Sequence, residues 1–316
     1  MKYITFSLAT VSLLFIGCGG GGGGGEDSSN SHVTFPSTSK PAKPTLENGK
    51  KVKEVVTTNQ GASTLNAVND SSTINIALFA QELFNLKQTK DLNKDYSLNE
   101  VIREEEPCSN GGSVVYEITS NFPQGGTLTR TFNECLDGAY NAIINGKIYQ
   151  EYSNYDSQVE NYKTTEVTML SDFTMKDIST DKTLTIYKDS YFKYNTLEFD
   201  KYEDPKKYTM EMTMKANDGL KQYGLKDANY YVTDNISMYQ TKGRVYIDNL
   251  KSYVDYDTSY DMSKTPFVYS SNFRTLKSGE ARYNMENKGK VKIVAQNSNA
   301  ITYVDADGDG TYELSE

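Results

Sequence analysis

Residues 304–316 read Val-Asp-Ala-Asp-Gly-Asp-Gly-Thr-Tyr-Glu-Leu-Ser-Glu and place three carboxylates within five positions. The spacing is that of a calcium loop. In an EF-hand, oxygens at positions 1, 3 and 5 bind the ion, position 6 is glycine, position 7 offers its carbonyl and position 12 is a bidentate glutamate. Counted from Asp305, those places hold Asp307, Asp309, Gly310, Thr311 and Glu316. Glu316 is the last residue, where its own terminal carboxylate competes for the ion. The flanks, 301–304 and 312–314, read as strands rather than helices, which makes Glu313 the substitute ligand. Three carboxylates this close repel one another without a cation, so the loop is expected to hold structural Ca²⁺. The competing reading is a solvated Asp-Gly hairpin turn.

A second acidic stretch offers Asp91, Asn93, Asp95 and Ser97. There Tyr96 replaces the turn glycine and Ile102 occupies position 12, so the sharp turn and the bidentate ligand are both missing. It reads better as a capped polar connection. Other chemistries find less support. No Gly-x-Ser-x-Gly is present, no glycine loop that could cradle phosphate precedes a helix, and the one histidine, His32, lies far from both Cys108 and Cys135 in sequence. With 42 acidic residues, some carboxylate pair always sits at a glycosidase distance, so composition alone leaves a glycan-active enzyme as a minor alternative.

The elements that must position these groups begin after an export signal. Lys2 precedes an apolar run from Ile4 to Ile16, too short to span a bilayer. The segment Leu14-Phe15-Ile16-Gly17-Cys18 resembles a bacterial lipobox, which implies that residues 1–17 are removed and that Cys18 carries the lipid. Gly19 at the following position implies the outer membrane. In the oxidising compartment beyond, Cys108 and Cys135 are expected to form a disulfide. Residues 18–72 run from a pure glycine tract into Ser, Thr, Asn, Lys and Pro, and are expected to be a disordered tether. Residues 73–316 then form one domain. The chain carries 33 basic and 42 acidic residues, net −9, and loses one more positive charge with Lys2. Such a body has no basic stripe for nucleic acid and is repelled by anionic headgroups.

From residue 113 onward, apolar and polar residues alternate with a period of two. Tyr208, Met210, Met212 and Met214 face one way, as do Val291, Ile293 and Ala295 after a turn at Asn287-Lys288-Gly289. The expected fold is mainly β: a large antiparallel meander forming a curved sheet or open, barrel-like structure. One or two short N-terminal helices are expected to cover it. The first carries Ile76, Phe79, Leu83 and Leu86 behind a Thr73 cap, and the second starts at Ser97. A faint internal repeat relates Phe173–Ser179 to Tyr231–Ser237, each followed by a second related segment at Tyr191 and Tyr253.

The lipobox, glycine-rich tether, cysteine pair and final Asp-x-Asp-Gly-Asp-Gly-x-Tyr-Glu hairpin, here Asp305–Glu313, together resemble a group of uncharacterised Gram-negative bacterial lipoproteins. That resemblance implies an envelope location and no particular activity. The function expected from the sequence is a lipid-anchored, non-catalytic binding or structural module, periplasmic or surface-facing. Its contact with the membrane is expected through the anchor, and its envelope-protein, glycan or lipid partner is left open. The alternative is a carrier of lipid or another hydrophobic ligand, with Met210, Met212 and Met214 lining its cavity.

Overall fold

The computed structural model describes residues 32–57, 101–121, 125–137, 142–201, 205–234, 237–269, 276–297 and 299–316. Near the N-terminus lie a short strand β1 (Lys40–Pro41) and the helix α1 (Leu46–Thr57). The sheet follows with β2 (Ile102–Pro107), β3 (Ser113–Asn121), β4 (Gly125–Asp137), β5 (Ala142–Asp156), β6 (Asn161–Met169), β7 (Phe173–Asp177), β8 (Thr183–Ile186) and β9 (Tyr191–Phe199). It continues through β10 (Pro205–Asn217), β11 (Gln222–Thr233), β12 (Ser237–Ile247), β13 (Ser252–Tyr256), β14 (Phe267–Tyr269), β15 (Leu276–Asn284), β16 (Lys290–Gln296), β17 (Asn299–Asp305) and β18 (Leu314–Ser315).

These strands form one curved antiparallel meander, as the period-two pattern predicts. Several of them are halves of longer strands broken midway. β6 and β7 run in line along β5, which pairs Ile148–Asp156 with the first and Ala142–Asn145 with the second. β9 and β8 repeat the arrangement against β10, and β13 and β14 share β12. Gly146 sits at the first break with φ 127°, and a Cβ there would lie 2.8 Å from the Asp172 carbonyl. Only glycine allows the two strands to approach so closely while bending. Among the described strands β1 alone pairs in parallel, against Ser252 and Tyr253 of β13.

The curve buries one side of each strand in a common core. Met210, Met212 and Met214 are 1%, 0% and 0% exposed and belong to that core, together with Phe173, Phe192, Ile144 and Tyr283. Val291, Ile293 and Ala295 are buried while Lys290 and Lys292 of the same strand face out. The disulfide forms between Cys108 and Cys135, with Cα atoms 5.5 Å apart, beside a bulge in β4. The two cysteines are 27 residues apart in sequence, and closing such a loop limits the unfolded chain by roughly 3.5 kcal/mol in the chain-entropy account. The suspected repeat does not correspond to equivalent places. Tyr191 follows Phe173 after one hairpin, whereas Tyr253 follows Tyr231 after two.

The largest correction concerns the tether. Residues 33–57, expected to be disordered, are docked on the sheet. Val33 donates its N–H to the Asp189 carbonyl at 2.7 Å, and Ala42 donates to Tyr253 at 2.7 Å. Thr45 then caps α1 by accepting the Asn48 N–H at 3.2 Å. The average composition of this stretch is polar, but the apolar residues fall at the positions that matter. Gly49, Val52 and Val55 form a stripe spaced by three, and all are buried. An Asn, a Gly and three Val make α1 a poor helix in isolation, so packing on the sheet carries it. The covering helix is therefore α1. The helices expected around Thr73–Leu86 and from Ser97 lie outside the described residues.

Candidate metal centre

The acidic loop is built on the end of a core strand. Thr302 and Val304 of β17 are fully buried, and the strand ends at Asp305, also fully buried. A carboxylate buried there must be satisfied. Its Oδ1 accepts the Gly308 N–H at 2.7 Å and its Oδ2 the Gly310 N–H at 3.0 Å. Gly308 and Gly310 have φ of 80° and 94°, and a Cβ on Gly308 would meet the Lys288 carbonyl at 2.8 Å. The glycines thus let the loop curl back over Asp305 and press against the neighbouring turn.

The side chains follow from that curl. Asp307 Oδ1 accepts the Asp309 N–H at 3.1 Å, and Asp309 Oδ1 accepts the Thr311 N–H at 2.6 Å. Glu313 reaches back so that its Oε2 accepts the Ala306 N–H at 3.0 Å. One oxygen from each of Asp305, Asp307, Asp309 and Glu313 lies within 4.8 Å of the others, with Asp305 at the floor and the other three exposed. Four oxygen donors and no nitrogen or sulfur suit a hard divalent cation. The arrangement can hold a metal ion.

Glu316 is not part of it. Beyond Glu313 the chain returns as β18, with Leu314 opposite Val304 and Ser315 opposite Tyr303. Each residue of a returning strand moves about 3.3 Å away from the loop, so Glu316 ends beside Thr302, exchanging backbone hydrogen bonds of 2.9 and 3.0 Å. Its carboxylate forms an ion pair with Lys50 of α1. An EF-hand brings position 12 back with a helix; a strand cannot, and the fourth acid of the cluster is Glu313. Thr311 lies in the loop, where its N–H is held by Asp309 Oδ1.

Two features near the loop carry no motif. Asp257, only 4% exposed, accepts Ser259 N and Oγ at 3.1 and 2.6 Å and the Lys290 ammonium at 2.9 Å. Burial pushes its carboxyl up, but Ser259 and Lys290 together outweigh this and hold it below the usual aspartate range. Lys292, on the outer side of β16, lies 4.7 Å from the Tyr303 ring centre and 4.4 Å from that of Tyr312. The one histidine, His32, packs its ring 4.5 Å from that of Tyr191. Cys18 and the second acidic stretch, Asp91, Asn93, Asp95 and Ser97, lie outside the described residues. Among the described residues no helix is long and apolar enough to cross a membrane.

Neither a protein-family model, nor a curated protein, nor a solved structure matches this chain.

Proposed function

We propose that the chain is a lipid-anchored envelope protein whose β body is a non-catalytic binding or structural module, with calcium as a structural ion in the Asp305–Glu313 loop. The observation that carries the metal part is the carboxylate set itself. Four acids converge at the end of β17 with one of them fully buried, a crowd whose mutual repulsion a divalent cation would relieve. Calcium suits the all-oxygen donor set and its tolerance of irregular geometry. Bound there, it would tie β17 to β18. The anchor rests on the lipobox-like segment ending at Cys18.

An ion that binds only the folded state raises stability by mass action. The test is the melting temperature of the purified body in excess calcium and in chelator, with metal content measured on the same sample. The expected result is a higher melt with one calcium bound per chain. An equal melt in both conditions with no bound ion would remove the metal reading. Metabolic labelling with palmitate tests the anchor separately, through loss of label in Cys18→Ser.

The carrier alternative gains little here. The three methionines pack within the common core. A pocket between Val55 and Val56 of α1 and Leu225, Met238 and Phe267 of the sheet has room for about one water molecule, far less than an acyl chain requires.

A further inference from the structure

We infer that the metal loop governs the docking of the N-terminal strap, residues 33–57, through the turn between β15 and β16. The inference rests on the metal reading above and names what the ion regulates. The strap is gripped at Ala42, which is 1% exposed. Its N–H goes to the Tyr253 carbonyl of β13 at 2.7 Å, and its carbonyl accepts the Glu286 N–H at 2.8 Å. One wall of the grip is therefore a paired strand and the other is a turn. Pro44 follows and lies against the same turn: a Cβ on Gly289 would come within 2.5 Å of the proline Cβ.

The other side of that turn faces the acidic loop. A Cβ on Gly308 would lie 2.8 Å from the Lys288 carbonyl and 2.9 Å from the Lys288 Cβ. Gly289 is hemmed in from this side too, since its Cβ would lie 3.1 Å from the Asp305 carbonyl. The register explains the meeting. Lys290, the first residue of β16, pairs with Asp305, the last of β17. The turn that enters one strand and the loop that leaves the other thus emerge from the sheet side by side.

The turn is the element that can switch. Asn287 and Lys288 have φ of 55° and 67°, and a left-handed lysine persists only where its surroundings hold it. Here the loop holds it, through Gly308. Asp307, Asp309 and Glu313 are exposed and crowd against Asp305, so without a cation their repulsion works to open the loop. An open loop takes Gly308 off Lys288, and the turn can then relax and withdraw Glu286 from Ala42. Since α1 is a poor helix in isolation, a strap loosened at Ala42 and Pro44 loses helix as well as contact. A cation that closes the loop restores the wall, and by linkage a docked strap tightens the hold on the cation by the same factor.

The strap is also the part of the body next to the proposed anchor. Docked, it leaves fourteen residues from Cys18 to His32, a reach of at most about 50 Å. Release as far as Thr57 adds twenty-five residues and up to about 85 Å. The ion therefore sets how far the body can stand from its anchor.

Hydrogen exchange of the mature chain carrying Cys18→Ser, in excess calcium and in chelator, tests the coupling. Calcium should slow exchange across residues 42–57 by about tenfold, an ordinary coupling between sites. Calcium that binds but slows only the amides exchanging through global unfolding, with the strap unchanged, would overturn the proposal and leave the ion a plain stabiliser. Gly308→Ala, compared with the parent in chelator, should quicken strap exchange because the methyl group pushes on Lys288; unchanged exchange there would overturn it as well. Ala42→Asp undocks the strap without touching the loop and should weaken calcium binding by the same factor that calcium slows the strap. Pro44→Gly gives the same readout should the buried charge prevent folding, and equal affinity in the folded variant counts against the coupling. No bound calcium in any sample removes the metal reading and the regulation with it, while Gly308→Ala still reports whether the loop braces the strap.

Discussion

Gly49 of α1 lies directly against Thr302 of β17: a Cβ at that position would come within 2.6 Å of Thr302 Cγ2 and 3.0 Å of Val304 Cγ2. Both partners are fully buried and have nowhere to move. Alanine in place of Gly49 would raise helix propensity by about 1 kcal/mol, whereas overpacking at such a contact costs about 1–3 kcal/mol. Gly49→Ala should therefore destabilise the fold and speed hydrogen exchange across residues 46–57. A stabilised protein with slower exchange there would show that α1 is not seated on β17.

The two C-terminal glutamates should separate cleanly. Glu313 belongs to the carboxylate cluster, while Glu316 pairs with Lys50 on the surface. Calorimetric titration with calcium should show weakened binding in Glu313→Gln and unchanged binding in Glu316→Gln. The second variant should lose at most about 1 kcal/mol of stability, the range for an exposed ion pair. Equal effects on affinity would return Glu316 to the loop.

Alkaline stability depends on buried tyrosines. Burial pushes the Tyr256 phenol up to about 12, with Tyr260 and Asp257 adding to it; Tyr162 is pushed to about 12 by burial and then by Tyr155. In the unfolded chain such phenols titrate near pH 10. The folded state favours the neutral form, so this stabilisation is complete below about pH 10 and is lost as pH rises toward 12. Denaturant unfolding measured from pH 9 to 12 should show that decline. In Tyr256→Phe the slope should be shallower, with about 1 kcal/mol lost at neutral pH because the 3.1 Å hydrogen bond to the Tyr260 carbonyl goes.

Asp257 sets an opposite dependence. Its carboxyl is held below the usual aspartate range, so its contribution is present above the unfolded value near 4 and disappears as pH falls through the lower folded value. Asp257→Asn should cost about 1–3 kcal/mol at neutral pH, since the Lys290 ammonium loses its partner. It should also flatten the acid limb of the stability profile. An acid limb identical to the parent's would place the effect elsewhere.

Much of the body was legible because it is written in local patterns. Alternation at Tyr208–Met214 and Val291–Ala295 tells which face is buried, since successive strand residues point to opposite sides. The spacing of Asp305, Asp307 and Asp309 is local too, and with the strand-like flanks that pointed to Glu313 it named all four clustered acids before any fold was known. What came afterwards depended on contacts between distant residues. Whether position 12 returns to the loop depends on the chain leaving as a strand, and β17 decides that by pairing with β18. Likewise, residues 33–57 look like tether because their average composition is polar. Their order comes from Val52 and Val55 meeting a sheet assembled from residues far along the chain, Leu225 and Met238 among them, a surface that exists only after folding. Asp257 and Lys290, thirty-three residues apart, become a pair for the same reason: burial and partnership are properties of the folded sheet, and no stretch of the chain carries them by itself.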